Sequence, residues 1–176
     1  MFRISLIFGS IAGLVVIAVL LLGITVLKHE SFISTEWFGY LTMLVALSMI
    51  FLGIKRYRDN ELGGVIKFLP ALGLGLGIAV VAGVIYVVAW EIYLAASGYH
   101  FMDIYVAGII ASEKAKGLSG AALAAKIAEL DAMKVQYANP LFRVPMTFLE
   151  IFPVGLIVAV ISAAVLRFPK VLPARA

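Results

Sequence analysis

Two carboxylates stand inside otherwise apolar stretches of this chain: Glu91, within VIYVVAWEIYLAA, and Glu150, within PMTFLEIFPVG. An acid at membrane depth costs about 2.5–3.5 kcal/mol on insertion scales, so it is by default a functional-site hypothesis. Each lies about four or five residues from one end of its stretch, roughly 6–7 Å at the helical rise. From that depth a carboxylate reaches the headgroup region. Arg143, His100, Lys28 and His29 fall at the same level and could neutralise either acid. Two readings stand side by side. The plainer one makes Glu91 and Glu150 interfacial or structural carboxylates. The sharper one makes Glu91, Glu150, Arg143 and His100 an outer-side acidic site for a proton or cation. Pro153 is expected to kink the helix beside Glu150 and to free the Leu149 carbonyl, which favours the sharper reading.

Other chemistry is sparse. The absence of cysteine excludes disulfides, thiolate metal sites and a cysteine nucleophile. His100 and Asp103 are three residues apart and His29 adjoins Glu30. These would hold a metal only if they converged with Glu91 and Glu150, and neither a metal nor a cofactor is expected. The run GLGLG at 73–77 lacks the lysine and hydroxyl of a phosphate loop. There is no GxSxG elbow and no HExxH. The expectation is a protein that is not an enzyme.

The elements that must position these residues are four long apolar stretches, roughly 4–27, 38–54, 68–96 and 146–166. Crossing a bilayer takes about 17–25 helical residues. The chain is 64% hydrophobic and 14% charged, against about 45–50% and 25% for soluble domains. The first stretch follows Arg3, as in a signal peptide, but it outruns a signal-peptide core and Val26-Leu27-Lys28 is no small-residue cleavage site. It reads as a retained anchor. The fold expected is an all-α membrane protein of one domain, 1–176, with four transmembrane helices and an outer-side amphipathic helical insertion at about 98–143.

Spacing adds detail. Gly9 and Gly13 form a GxxxG, which allows close helix approach or reflects the abundance of glycine in spans. Gly75, Ala79 and Gly83 make a small face on the third span, with Gly73 and Gly77 beside it, and Gly155, Ala159 and Ala163 make one on the fourth that suits packing on the third. Pro145 is expected at the first turn of the fourth span. In the insertion, a helix at 101–116 ends at Gly117, and Ser119 opens a second that carries Leu123, Ile127, Leu130, Met133 or Lys134, and Tyr137 as a stripe. The insertion packs on the membrane surface or the span ends, or serves a partner protein.

Charge sets the orientation. With the N-terminus inside, the inner segments carry Arg3, Lys55, Arg56, Arg58, Lys67, Arg167, Lys170 and Arg175 against Asp59 and Glu61 alone. Basic residues in short loops stay cytoplasmic, so both termini are expected there. Trp37, Tyr40, Trp90, Tyr93 and Tyr99 then form an outer aromatic belt. The loop from Lys55 to Lys67 is a topogenic stop or, more sharply, a lipid-headgroup patch of Lys55, Arg56, Arg58 and Lys67. The net charge of +4 is no nucleic-acid signal, because the bases sit at membrane edges.

Two stretches, GIKRYRDNELGG at 53–64 and YANPLFR at 137–143 running into PMTFLEIFPVG, are similar to motifs of the bacterial membrane family known as domain of unknown function 4199. The resemblance covers nearly the whole chain. It implies a small four-span protein of the bacterial cytoplasmic (inner) membrane and brings no established activity. It places Lys55, Tyr57, Arg58, Asp59, Gly63, Gly64, Asn139, Pro140, Arg143, Glu150 and Pro153 in family motifs without roles. The function expected is that of a non-enzymatic structural or accessory membrane component, with membrane lipid, copies of itself or a larger complex as partners. The alternative is a small oligomeric transporter or channel using Glu91 and Glu150. A membrane-embedded enzyme acting on lipid is the weaker third reading.

Overall fold

The structure is a computed structural model that describes residues 1–25 and 36–173. Its elements are α1 (Phe2–Thr25), α2 (Glu36–Leu47), α3 (Met49–Glu61), α4 (Phe68–Ala96), α5 (Phe101–Ala115), α6 (Gly120–Ala138) and α7 (Pro140–Leu166), and no strand occurs among the described residues. Four helices are long and apolar enough to cross a membrane: Phe2–Thr25, Trp37–Glu61, Phe68–Ala96 and Pro140–Leu166. A backbone in hydrocarbon must satisfy its own hydrogen bonds, which is why largely apolar runs of this length fold as helices. The expected outer loop at 28–35, with Lys28, His29, Glu30 and the capping candidates Ser31, Ser34 and Thr35, lies outside the described residues, as does Arg175.

Two boundaries differ from expectation. The helix that carries the second span does not end at Ile54: α2 and α3 together run to Glu61, past the basic cluster. Between them Ser48 keeps the ladder, donating its N–H to the Leu44 carbonyl at 3.0 Å and accepting from Leu52 N–H at 3.2 Å. Its hydroxyl also donates to the Val45 carbonyl at 2.6 Å. Lysine and arginine are good helix formers, and a Lys55–Asp59 pair at 2.5 Å spans one helical turn. The chain reverses only at Gly63 and Gly64, with φ of 63° and 91°, values that glycine takes without a Cβ penalty. The helix that carries the fourth span starts at Pro140, ahead of Met146. Asn139 caps it, its Oδ1 accepting from Leu141 N–H at 3.0 Å, and Pro140 fills the first helical position, where its missing N–H costs nothing. Pro145 is therefore interior, and α7 stays helical through both Pro145 and Pro153.

The chain divides into two compact units, residues 1–89 with 148–176, and residues 90–147. In the first, the small faces carry the packing. A Cβ placed on Gly9 would lie 2.6 Å from Val81 Cβ, and one on Gly13 2.6 Å from the Ala82 carbonyl oxygen. On the other side of α4, a Cβ on Gly75 would meet Ala159 Cβ at 2.9 Å, and one on Gly155 would meet Ala79 Cβ at 2.9 Å. The backbones of α1 and α7 thus both approach α4 as closely as hydrogen-only side chains permit, which is how helices associate where burial from water gives no drive. Leu47, Ile50, Ile54, Leu74 and Ile78 fill the remaining core.

The second unit comprises the end of α4, the α5–α6 pair and the first turns of α7. Met102, Val106 and Leu130 are its buried centre, flanked by Phe101, Ile109, Met133 and Tyr137. Of the expected α6 stripe Leu130 is buried and Leu123, Ile127, Met133 and Tyr137 are half-buried, with Met133 and Tyr137 packed against the buried centre. Ser119 precedes α6 in extended conformation, but its side chain makes no capping bond.

Candidate functional site

The polar centre of the second unit is Arg143, 3% exposed. Its Nε donates to Glu91 Oε1 at 2.7 Å and its Nη2 to Glu91 Oε2 at 2.6 Å. Its Nη1 donates to the carbonyls of Tyr137 at 3.1 Å and Ala138 at 3.4 Å. The fork geometry of a guanidinium matches a carboxylate at two points, and charge-assisted bonds of this kind are about twice as strong as neutral ones. The same group lies 5.5 Å from the Tyr99 ring centre and 5.7 Å from that of Tyr137, both within cation–π range. Arg143 therefore fastens the end of α4 to the end of α6 from the first turn of α7. The Tyr137 hydroxyl accepts from Trp90 Nε1 at 2.8 Å, and Trp90 packs edge-on against Phe101 at 4.8 Å.

The bend after α4 shapes one wall. Gly98 N–H reaches the Ala95 carbonyl at 3.2 Å and Tyr99 N–H reaches the Leu94 carbonyl at 2.8 Å, the paired bonds of a Schellman motif. Gly98 has the positive φ this motif needs, and Tyr99 follows with φ 60°. For a bulky residue that conformation is a true outlier, costing about 1–3 kcal/mol, and such strain clusters at clamps and binding sites. Beside it, a cavity of about 320 Å³ is lined by Leu94, Tyr99, Met102, Lys134, Tyr137 and Arg143, with Ala138 and Pro140.

Of the expected acidic site, the structure brings Glu91 and Arg143 together. His100 instead faces Asp103, its Nδ1 3.6 Å from Oδ2, with a side chain 74% exposed. Asp103 is also bonded to Lys134. That hydrogen bond holds the Asp103 carboxyl below its ordinary range and the Lys134 ammonium above its own. Glu150 belongs to the first unit, on an exposed side of α7, and accepts from the buried Tyr86 hydroxyl at 3.2 Å. Among the described residues no three metal-ligating side chains converge.

The expected headgroup patch needs a correction at Arg58. Its side chain has 0% exposure, so its guanidinium cannot meet a lipid surface. It donates to the carbonyls of Val171 at 2.9 Å and Leu172 at 2.5 Å, and to Asp59 at 2.7 Å. Leu166, the last residue of α7, accepts more weakly at 3.5 Å. Lys55 is half-buried and turned to Asp59, while Arg56 and Lys67 are exposed. Sequence reasoning placed Trp90 and Tyr99 only as membrane-level aromatics and missed their part in the Arg143 cluster. The run YANPLFR was visible as a motif, but nothing in it announced that Tyr137 contributes a carbonyl, a ring and a hydroxyl at once.

No curated protein and no solved structure matches this chain. The family described as a protein of unknown function, DUF4199, matches residues 7–167. That span takes in the small-residue faces, Arg58, the Arg143–Glu91 pair and Glu150, and the chain belongs to the DUF4199 family.

Proposed function

We propose that this protein is a non-enzymatic structural or accessory component of a bacterial cytoplasmic membrane, with both termini in the cytoplasm. The observation that carries this reading is the saturation of Glu91. Both of its oxygens are taken by Arg143, whose Nη1 in turn serves two carbonyls. A carboxylate so held has little left for a travelling proton or cation, and its work is to join helices. The basic excess on one set of span ends supports the orientation. Lipid contacts on that side fall to Arg56 and Lys67, and the remaining partners are copies of this chain or a larger membrane complex.

Co-purification from native membrane in mild detergent tests the accessory role: a stoichiometric partner supports it, and a lone protein whose Glu91→Gln form folds normally but loses an ion-dependent phenotype overturns it. Fusing a cytoplasm-active reporter to either end tests the orientation, which fails if the reporter is silent. A second reading, a small oligomeric transporter or channel, draws on Glu150, which stands at an exposed position and accepts from the Tyr86 hydroxyl. Glu150→Gln separates the two: normal amounts of folded protein with altered ion or pH tolerance favour transport.

A further inference from the structure

The cavity of the second unit has a lopsided lining. Among the described residues its charged lining is Lys134 and Arg143, both cations, paired outside the lining with Asp103 and Glu91. Tyr99 and Tyr137 contribute rings, and Leu94 and Met102 are among its apolar walls. Small-molecule sites are mostly apolar concavities of about 300–1,000 Å³ with few fixed polar groups, and about 320 Å³ falls at the small end of that range. At roughly 30 Å³ per water-sized group, it holds about ten non-hydrogen atoms.

We propose that this cavity binds a small amphiphilic acid, with its apolar body against Leu94, Met102 and the tyrosine rings and its anionic head at Lys134. Arg143 has committed four N–H groups to Glu91 and to two carbonyls, so it is a fixed positive wall rather than a mobile ligand. Lys134 is different. Its ammonium has three hydrogens and is bonded to Asp103, with the charge of Asp131 also near, and its side chain is 46% exposed. It therefore keeps donors that a second anion can reach from solvent. Tyr99, held at φ 60° by its bond to Leu94, keeps its ring over the guanidinium and leaves the space beside it open. The same chemistry fits a free short-chain acid or the anionic part of a membrane lipid.

The test uses the full chain in phosphatidylcholine nanodiscs, titrated with octanoate and corrected by empty nanodiscs. Trp90, bonded to the cavity residue Tyr137, reports occupancy by fluorescence once Trp37→Phe removes the other tryptophan. Saturable binding is expected, at least tenfold weaker for octanol and for the Lys134→Gln variant, and abolished when Ala138→Phe fills the space. Replacing half of the lipid by phosphatidylglycerol separates the sources: a raised octanoate midpoint identifies lipid as the competitor, and an unchanged one identifies a free acid. Equal binding of octanol, or of octylamine, overturns the proposal, as does unchanged binding in the Ala138→Phe variant.

Discussion

Replacing Arg143 by methionine tests the central polar contact. The guanidinium is 3% exposed and makes two charge-assisted bonds to Glu91 and two to main-chain carbonyls. Hydrogen bonds to charged groups contribute about 1.5–3 kcal/mol each, and removing one member of a buried pair costs about 3–5 kcal/mol, because the other charge is stranded. Glu91 keeps 26% side-chain exposure, so it recovers part of its hydration, and the loss for Arg143→Met is expected near the lower figure, about 3 kcal/mol. Adding Glu91→Gln removes the stranded charge and should restore at least about 1 kcal/mol of that loss. Arg143→Lys retains the charge but cannot span two carboxylate oxygens and two carbonyls together, so it should fall between. Thermal and denaturant unfolding in detergent, followed by Trp90 fluorescence in a Trp37→Phe background, measures all four proteins. Full stability of Arg143→Lys, or a double variant no better than Arg143→Met, would refute the reasoning.

Gly9→Leu and Gly155→Val should each lose about 1–3 kcal/mol by overpacking, since their added Cβ atoms would meet Val81 and Ala79 below 3 Å. Gly23→Leu, with nothing within 4 Å among the described residues, should be near neutral in the same unfolding assay. Arg58→Ala should speed proteolytic cleavage between 167 and 173 severalfold, because those carbonyls lose their donor. The Asp103–Lys134 bond depresses the Asp103 pKa, so its contribution is complete above the ordinary carboxylate pKa and is lost as pH falls through the depressed one. Asp103→Asn should therefore flatten the acid limb of α5–α6 stability, read by hydrogen exchange of their amides.

How far the sequence disclosed this arrangement depended on the kind of signal. Spans are written in uninterrupted hydropathy, and the faces at Gly9 and Gly13, or at Gly155 and Ala159, are written in four-residue spacing, so both were legible. Helix ends were less so. Charge at Lys55 suggested a loop, yet a charged residue is a sound helix former once it leaves the hydrocarbon, and α3 simply continues. Pro145 looked like a start because the apolar stretch begins beside it; the Asn139 cap decided for Pro140. Arg58 and Arg143 were legible as charges but not as clasps, since their acceptors include main-chain carbonyls, which carry no residue code. For Arg58 those acceptors lie more than a hundred positions along the chain.

The Arg58 clasp also orders the molecule in time. A chain made from its N-terminus commits Arg58 early, whereas the carbonyls at Leu166, Val171 and Leu172 emerge more than a hundred residues later. Until then the guanidinium lacks those acceptors and must keep water as its partner. Delivery of the C-terminal segment is thus the event that lets an early charge leave water. A nascent chain stalled before Leu166 would be held as an open, unsealed bundle that quality-control proteases can recognise.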